Sequence, residues 1–531
     1  MRDWNLTRRG ILRTSFGMSA AIVWKPAFAQ QKTTLVGALE GDPTVFNAAV
    51  SSAISTYVTS SPIHQGLTRI KPDGSIEPLL AKSWEISPDG KTYVFTLRDD
   101  VLWQDGRPFT SADVKFTIEN AIKTIQPRGK AAYTPVTAVD APNASTVVYR
   151  LSAPSAELMM ATDAVCAPII PKHLWEGKNL ATDPLNQKPV GTGPYKLVSY
   201  QRGREVRYEK NENYFIKGRP MVDEVVLRIM PDPASRVAAF QQGELDMMYY
   251  NALPQSEAIR LSKLPGNKLT RSVNRGAAYH IVLNLKNQHL ANKEVRKAIA
   301  HAIDRKFIRE NIDGGMTASE QLGPVSPADP LYNKKLVDYT FDAAQANRML
   351  DEAGFKRGAD GTRFELELGW ASSLGSAANI ADIIKQNLAA VGIKLNLFSA
   401  DRAAFDQRAY ATGNFAMTIE AVAIGPGVGG IERFYNSNNI RPVPYTNNSD
   451  YRSEEVDALF TKQRSILDPV ERKAVYDRIQ EVIWDELPIL PLYQVVFFSI
   501  TRSNYVTDVY EEGGNGSWAT YEDAKIVGVH K

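Results

Sequence analysis

The sequence contains few of the residues that usually mark a catalytic centre, a metal site or a disulfide framework. Its 531 residues include one cysteine, Cys166, and six histidines scattered along the chain. A single cysteine excludes an intramolecular disulfide, and the apolar run 164–170 around it indicates a small buried residue. The common motifs of serine hydrolases, zinc proteases and P-loop enzymes are also absent. The sequence therefore predicts no catalytic residues, no metal ligands and no cofactor.

Long apolar runs and runs of like charge are missing too. After residue 29 no stretch reaches the roughly 18 uninterrupted apolar residues that a membrane-spanning helix needs. Residues 1–29 contain five of the 62 basic and one of the 59 acidic residues, which leaves 57 against 58 and lowers the net charge from +3 to −1. A near-neutral chain without basic runs offers no electrostatic surface to nucleic acid. We expect a globular protein of two or three domains with no nucleic-acid partner.

The first 29 residues carry the features of an export signal. Arg8 and Arg9 precede a weakly apolar stretch over 16–24, and residues 27–29, Ala-Phe-Ala, have the small-x-small form of a leader-peptidase site. A basic amphipathic helix on a membrane surface is the alternative, but positive charge lies at one end only and the cleavage pattern follows directly. We interpret the segment as a twin-arginine signal peptide cleaved near Ala29, which predicts a periplasmic protein.

The stretch 66–114 holds the most informative local pattern. It contains three Asp-Gly pairs, at 73–74, 89–90 and 105–106. Asp-Gly supplies the positive φ that tight hairpin turns require, and the alternating run 93–97 places aromatic and apolar side chains on one face of a strand. Thr110 and Asp113 then form an acidic variant of the capping box, before apolar residues at helical spacing over 114–125. The pattern predicts antiparallel hairpins that lead into a helix.

The same stretch resembles a known family. Its strings SPDGKTYVFTLRDDV and DGRPFTSADV are similar to the signature region of the extracytoplasmic solute-binding proteins of peptide-type ABC importers, the family of oligopeptide-, dipeptide- and nickel-binding proteins. Further similar strings are VGTGPYKL at 190–197, GELD at 243–246 and VRKAIAHAIDR at 295–305. A generic hairpin module would explain the turns but not the ordered strings. The resemblance implies an α/β, two-lobed periplasmic binding protein with a hinge and an additional small α+β subdomain in the first lobe.

The resemblance also implies how the chain divides. The predicted parts are the signal peptide (1–29), the first lobe (30–55, 190–268 and 492–531), its additional subdomain (56–189) and the second lobe (269–491). Strand, helix and strand patterns over 364–397 predict a βαβ unit with a right-handed crossover in the second lobe. The chain would cross between the lobes near 265–270 and 490–493, which predicts a clamp that closes on its ligand.

Gly191 and Gly193, on either side of Thr192, precede Pro194 and allow two interpretations. They either form a ligand-binding loop or provide space where two backbone segments approach closely. We favour the close approach, because the resemblance implies the same string in relatives with unrelated ligands.

The turn 425–430, Gly-Pro-Gly-Val-Gly-Gly, is the main candidate for a ligand contact. It satisfies the dinucleotide pattern G-x-G-x-x-G, but a proline inside the turn and its late position argue against that function. In peptide-binding members of the resembled family, the turn at this place supplies an aspartate for the ligand's amino terminus. Here Gly425 occupies the matching position. The nearby acids Glu420 and Glu432 lie before and after that position in the sequence. We hypothesise that backbone N–H groups bind a carboxylate, phosphate or hydroxyl group instead; a plain flexible turn is the alternative.

Other candidates flank the expected cleft. Glu40 and Asp42 follow the first strand, Trp370 ends a strand where core packing is an equal alternative, and Arg433 and Tyr435 could add an anion contact and a stacking surface, although a surface arginine and a core tyrosine are commoner. The predicted ligand-binding residues are Glu40, Asp42, Trp370, Ala423, Ile424, Gly425, Gly427, Gly429, Gly430, Arg433 and Tyr435.

These observations together predict a periplasmic solute receptor rather than an enzyme. We expect a monomer that binds a peptide, or an opine-like or sugar-like conjugate, and delivers it to an inner-membrane ABC permease. A periplasmic hydrolase and a chaperone-like binder of unfolded segments are the alternatives. Turnover of a candidate ligand would favour the hydrolase, and affinity for many extended peptides would favour the chaperone.

Overall fold

Two large β-sheets and one smaller sheet organise the fold in the computed structural model. The structure describes residues 32–51, 53–71, 75–248, 253–272, 277–312, 321–327, 329–423, 428–506 and 521–526. Residues 33–531 pack as one unit, so the sheets and their helices are described together. Among the helices of the described ranges, none has the length and apolar character needed to cross a membrane.

The strands and helices follow one another in mixed order along the chain. The strands are β1 (Thr34–Leu39), β2 (Thr68–Ile70), β3 (Ile76–Pro78), β4 (Ala81–Ile86), β5 (Thr92–Leu97), β6 (Val136–Asn143), β7 (Thr146–Leu151), β8 (Tyr195–Gln201), β9 (Glu205–Lys210), β10 (Glu224–Ile229), β11 (Met247–Met248), β12 (Asn267–Ser272), β13 (Ala277–Leu283), β14 (Phe364–Ala371), β15 (Ile393–Ala400), β16 (Met417–Ala423), β17 (Ile489–Gln494), β18 (Phe497–Arg502), β19 (Tyr505–Val506) and β20 (Lys525–Ile526). The helices are α1 (Ile54–Ser60), α2 (Ser111–Thr117), α3 (Pro127–Ala132), α4 (Lys172–Trp175), α5 (Pro233–Gln242), α6 (Gln255–Ser262), α7 (Lys293–Ala302), α8 (Arg305–Asn311), α9 (Ala343–Glu352), α10 (Ala377–Ala390), α11 (Arg402–Asp406), α12 (Val428–Tyr435), α13 (Glu454–Gln463) and α14 (Pro469–Glu486).

The first lobe is built on a seven-stranded sheet with the order β12-β18-β11-β1-β10-β9-β8. β1 is parallel to β10 and β11, whereas the other pairs are antiparallel. Helix α5 is capped at both ends: the Asp232 carboxylate accepts a hydrogen bond from the Ser235 N–H at 2.7 Å, and Gly243 ends the helix with φ +86°.

The additional subdomain holds the four-stranded antiparallel sheet β4-β5-β7-β6 and its own apolar core. The hairpin prediction is confirmed at Gly90 and Gly106, which have φ of +66° and +88°; the Asp73-Gly74 pair lies outside the described residues. Helix α2 begins at the predicted cap, where the Asp113 carboxylate accepts from the Thr110 N–H at 2.9 Å. Tyr57, Val58 and Ile63 pack in the first-lobe core, and the predicted boundary at residue 56 stays a prediction.

The second lobe is built on a five-stranded sheet with the order β15-β14-β16-β13-β17. Parallel neighbours β14 and β15 are joined by α10, which confirms the predicted βαβ unit. One face of the sheet packs against α7, α9 and α10, and the other packs against α11, α12 and α13. Helices on both faces leave the strand ends and their loops as the surfaces available to a ligand.

The chain crosses between the lobes at two adjacent places. β12 and β18 pair in the first-lobe sheet, and β13 and β17 pair in the second-lobe sheet. One crossing follows β12, which pairs with β18 as far as Ser272, and the other follows β17, which pairs with β13 as far as Gln494. The predicted domain boundaries near 268 and 492 stay predictions.

The segment 191–195 confirms the close-approach interpretation of its two glycines. A methyl group on Gly191 would overlap the carbonyl oxygen of Ile63, and one on Gly193 would lie 2.5 Å from that of Pro62. The Gly193 N–H donates to Ile63 at 2.8 Å, and the Tyr195 N–H donates to Pro62 at 3.0 Å. Only glycine fits this contact between backbones.

Candidate functional site

Glu40 and Asp42 follow β1 in the first lobe. Asp42 is half-buried, and one carboxylate oxygen accepts hydrogen bonds from the Tyr200 hydroxyl and the Gly203 N–H, both at 2.8 Å. These donors, the Gly203 N–H first, hold the pKa of Asp42 below its ordinary value. Glu40 is exposed, and its carboxylate lies 4.0 Å from Nη2 of Arg236. Asp42 thus fixes the turn after β8, and its role in ligand binding, like that of Glu40, stays a prediction.

Trp370 lies one residue before the end of β14. Its neighbours across the sheet are Ser399 and Ile419. The side chain is half-buried and packs against the second-lobe core. Core packing is therefore one role of Trp370, and a ligand contact stays a prediction.

The glycine-rich turn ends earlier than the sequence predicts. Two of its predicted site residues, Gly425 and Gly427, lie outside the described residues, as does Ile424 just before it. Ala423 ends β16, opposite Ala277 of β13. Gly429 and Gly430 are not in a loop, because α12 begins at Val428 and includes both. The predicted loop 425–430 is therefore corrected over its last three residues, which form the first turn of a helix.

Helix α12 forms because its apolar residues share one face. Ile431, Phe434 and Tyr435, at helical spacing, are buried in the second-lobe core. The N–H groups of the first turn have no acceptor within the helix, and the helix dipole gives this end a partial positive charge. Gly429 and Gly430 carry no side chain that would cover these donors. This chemistry favours an anionic group, and a ligand contact at the start of α12 stays a prediction.

Arg433 and Tyr435 lie on different sides of α12. Arg433 is half-buried, with its guanidinium carbon 4.5 Å from the ring centroid of Phe434. Burial lowers the pKa of Arg433, and the positive charge of Arg128 in the additional subdomain lowers it further. Tyr435 is 3% exposed and packs edge-on against Tyr451. Tyr435 is therefore a core residue, which corrects its predicted role as a stacking surface.

A buried polar network behind α12 was not indicated by the sequence. Glu420 in β16 lies directly opposite His280 in β13. The Glu420 carboxylate accepts hydrogen bonds from the Tyr410 hydroxyl, from Thr418 Oγ1 at 3.0 Å and from Asn448 Nδ2 at 2.9 Å. Burial lowers the pKa of His280, although the charge of Glu420 opposes this effect. The Glu420 carboxylate therefore joins several elements of the second lobe.

A small cavity lies between β13, β17 and α12. Its lining includes His280, Gln321, Phe434 and Tyr435, and its volume is about 10 Å³, roughly the space of one water molecule. This cavity is too small for an organic solute. In the part of the chain that the structure describes, no group of three or more His, Cys, Asp or Glu residues is arranged to hold a metal ion.

Two arginine–aromatic pairs were also missed by the sequence reasoning. In the second lobe, the guanidinium carbon of Arg402 lies 4.9 Å from the ring centroid of Tyr445, which is 41% exposed and has φ +64°. In the first lobe, the guanidinium carbon of Arg128 lies 5.2 Å from the ring centroid of Tyr57. The members of each pair are far apart in sequence, so no local spacing marks them.

Comparisons with known proteins agree with this architecture. The family model described as bacterial extracellular solute-binding proteins, family 5, middle region, matches residues 75–440. The dipeptide-binding protein of Escherichia coli K12 is 28% identical over 439 residues, covering 76% of this chain and 78% of its own. The glutathione-binding protein GsiB of Salmonella typhi is 28% identical over 494 residues, covering 90% of this chain and 92% of its own. The solved structure of the binding protein AgaA from A. tumefaciens R10, in complex with agropinic acid, matches with a TM-score of 0.73 and a sequence identity of 28%. The match covers 94% of this chain and 99% of AgaA.

Proposed function

Since the chain belongs to family 5 of the bacterial extracellular solute-binding proteins, we propose that its ligand is a small organic solute that carries a carboxylate and lies between the two lobes. The protein is a receptor of an ABC importer, and its partner is the membrane permease that receives the solute. We propose further that it acts as a monomer. The solute would contact the first lobe and its subdomain on one side and the start of α12 on the other.

The observation that carries this proposal is the pair of adjacent crossings. Strand pairs β12–β18 and β13–β17 place the two connections side by side. Two neighbouring connections let one lobe rotate relative to the other while each sheet stays intact. A solute that contacts both lobes binds the closed form more tightly than the open form and therefore favours closure.

The chemistry of the solute is inferred from relatives and from the start of α12. The two relatives are named for binding dipeptides and glutathione, and the solved structure holds agropinic acid; all three compounds carry a carboxylate. Gly425 supplies no acid for a free amine, while the first turn of α12 offers N–H donors and a partial positive charge. Opine-like conjugates and modified peptides fit this chemistry better than ligands that depend on a free amine.

The proposed location is the periplasm, reached by the twin-arginine route with cleavage near Ala29. Replacing Arg8 and Arg9 with Lys should leave the uncleaved precursor in the cytoplasm, because the pore requires the arginine pair. Immunoblots of cell fractions would measure this. Mature protein in the periplasm of a strain without the twin-arginine pore would contradict the route.

Native mass spectrometry tests the proposed ligand class. Protein purified gently from its host should carry a small co-purified molecule that contains a carboxylate, and the same molecule should raise the melting temperature of stripped protein. A ligand at a hundred times its dissociation constant stabilises by about 2.7 kcal/mol. A co-purified ligand without any acidic group would contradict the proposal.

A further inference from the structure

The chain crosses to the first lobe at one edge of the second-lobe sheet. β13 begins there at Ala277, directly opposite Ala423 at the end of β16. β17 ends there as well, since its last residue, Gln494, pairs with Ala278. β14 is parallel to both β15 and β16, so these three strands also end at this edge, the lobe-facing edge. Ligands of α/β sheets bind beyond the carboxyl ends of parallel strands.

The ring of Tyr445 lies at the lobe-facing edge. Arg402 follows the end of β15 by two residues, and its guanidinium carbon lies 4.9 Å from the ring centroid of Tyr445. The ring centroids of Tyr445 and Tyr410 are 6.3 Å apart. The Tyr410 hydroxyl donates to Glu420, which stands three residues before the end of β16. Contacts near the ends of two strands thus place Tyr445 at this edge.

The backbone of Tyr445 is strained, while the residues after it are held firmly. Its φ of +64° lies in the left-handed region, which bulky residues rarely adopt. Thr446 Oγ1 donates to the Val443 carbonyl at 2.7 Å, and Asn447 Nδ2 donates to the Tyr451 carbonyl at 2.8 Å. The Tyr445 side chain stays 41% exposed, so burial of the ring does not offset the strain. Strain that the surrounding structure enforces in this way concentrates at ligand-binding sites.

The guanidinium beside Tyr445 has a carboxylate partner. Arg402 Nε donates to Asp406 Oδ2 at 2.9 Å, and Arg402 Nη2 lies 2.6 Å from Asp406 Oδ1. This two-point pairing fixes the plane of the guanidinium and balances its charge. The exposed part of the Tyr445 ring is therefore a flat contact surface rather than part of an anion site. An aromatic ring suits such a surface, because offset or edge-on rings attract each other.

We propose that Tyr445 is a specificity-determining residue that stacks on a planar group of the solute. This inference rests on the proposed function, because it assigns a second part of the solute that the two lobes enclose. The strained backbone holds the ring out at the lobe-facing edge, and closure of the lobes removes the ring and the planar group from water together. Solutes that carry an aromatic ring are thereby favoured over equally large solutes that carry a saturated ring.

Matched probes that differ only in the flatness of one group provide the test. One series is alanyl-alanine, alanyl-phenylalanine and alanyl-cyclohexylalanine. The other is glutathione, S-benzylglutathione and S-cyclohexylmethylglutathione. Isothermal titration calorimetry measures each dissociation constant. In at least one series we expect the phenyl probe to bind wild type about three- to tenfold more tightly than the cyclohexyl probe. Apolar burial alone predicts the opposite order, because the cyclohexyl group has the larger apolar surface.

Three variants separate the ring from its surroundings. Tyr445→Asn accepts the left-handed backbone but lacks the ring, so it should bind the phenyl and cyclohexyl probes with equal affinity. Tyr445→Phe keeps the ring and should keep the wild-type preference. Val198→Asn is the control, because Val198 is also an exposed apolar side chain but lies on β8, at the opposite edge of the first-lobe sheet from β12. Its dissociation constants should equal those of wild type.

The melting temperature without solute distinguishes recognition from packing. Tyr445→Asn should melt at or above the wild-type temperature, because asparagine tolerates the positive φ better than tyrosine. If Tyr445 only packs against Arg402, this variant should melt lower and keep any preference for the phenyl probe, which would overturn the inference.

The remaining outcomes distinguish this inference from the proposed function. If wild type binds the phenyl and cyclohexyl probes of both series equally, Tyr445 does not select a planar group, although binding of these acids still supports the proposed solute class. This comparison needs no variant, so it decides the question even if Tyr445→Asn does not fold. If none of the six probes binds, the proposed solute class is wrong and the inference fails with it.

Discussion

The additional subdomain contacts the two lobes through interfaces of different kinds. Towards the first lobe, the Gln104 N–H donates to the Gly191 carbonyl at 2.9 Å, and Gly191 is itself fixed within the first lobe against Ile63, without space for a methyl group. Towards the second lobe, one backbone bond joins the Ala156 N–H to the Arg464 carbonyl at 3.2 Å. An ion pair of 3.9 Å between Glu157 and Arg472 lies beside it.

The difference indicates which parts move together. Buried backbone bonds and close packing are costly to break, whereas a partly exposed ion pair contributes little and reforms readily. We infer that the subdomain and the first lobe form one rigid body and that the second lobe rotates against it. The contact around Ala156 and Arg464, called the rim contact below, then opens and closes with the solute.

The largest expected effect comes from breaking the rigid interface. Gly191→Ala should lower the free energy of unfolding by about 3 kcal/mol, because the new methyl group overlaps the Ile63 carbonyl. Urea denaturation followed by circular dichroism measures this. Gly41→Ala is the control, since a methyl group there meets nothing within 4 Å. Equal stability of the two variants would contradict the tight interface.

The second prediction concerns pH at the same interface. His64 is buried beside Ile63, and burial lowers its pKa to about 4. The unfolded chain titrates near its ordinary value of 6.5, so it binds more protons than the folded state between pH 6.5 and 4. The free energy of unfolding should therefore fall by about 3 kcal/mol as the pH decreases through this range.

The variant His64→Gln isolates that contribution. It should flatten the dependence of stability on pH between 6.5 and 4, whereas His301→Gln, at a half-buried position in the second lobe, should leave it as in wild type. Denaturation curves at several pH values supply the measurement. An unchanged slope in His64→Gln would show that acid does not act through this residue.

The third prediction addresses the start of α12. Gly429→Val should weaken solute binding about five- to 150-fold, because its side chain covers the N–H donors of the first turn. Gly375→Val, just before α10, is the control, since its Cβ position is open. Cooperative thermal denaturation should show that both variants keep the wild-type fold. Unaltered calorimetric affinity in Gly429→Val would mean that the helix start does not contact the solute.

The smallest effect is expected at the rim contact. Glu157→Gln together with Arg472→Gln should change the free energy of unfolding by less than about 1 kcal/mol and weaken solute binding less than about fivefold. The exposed pair Glu455 and Arg478 within the second lobe, at 2.7 Å, provides a matched control. A stability loss as large as that of Gly191→Ala would contradict this, because the second lobe would then be as firmly joined to the subdomain as the first lobe is.

Local features were predictable from the sequence. The capping box of Thr110 and Asp113 has partners only three residues apart, and it begins the predicted helix α2. The buried fate of Tyr435 could have been predicted as well, since Ile431, Phe434 and Tyr435 have helical spacing.

Contacts between distant segments were not predictable. The pairing of β12 with β18 joins residues more than two hundred positions apart. The contact of Arg402 with the ring of Tyr445 depends on tertiary packing, and Tyr445 lies in a segment without periodicity. A single sequence carries no pattern for such contacts, because they arise from tertiary packing and not from neighbouring residues.

The central claim is that a solute closes the second lobe onto a rigid body of first lobe and subdomain. The most direct test is small-angle scattering with and without a solute. Binding of that solute must first be established by calorimetry. We predict a smaller radius of gyration at saturating solute. The radius should not change in a variant that no longer binds the solute. An unchanged radius with fully bound solute would contradict the account.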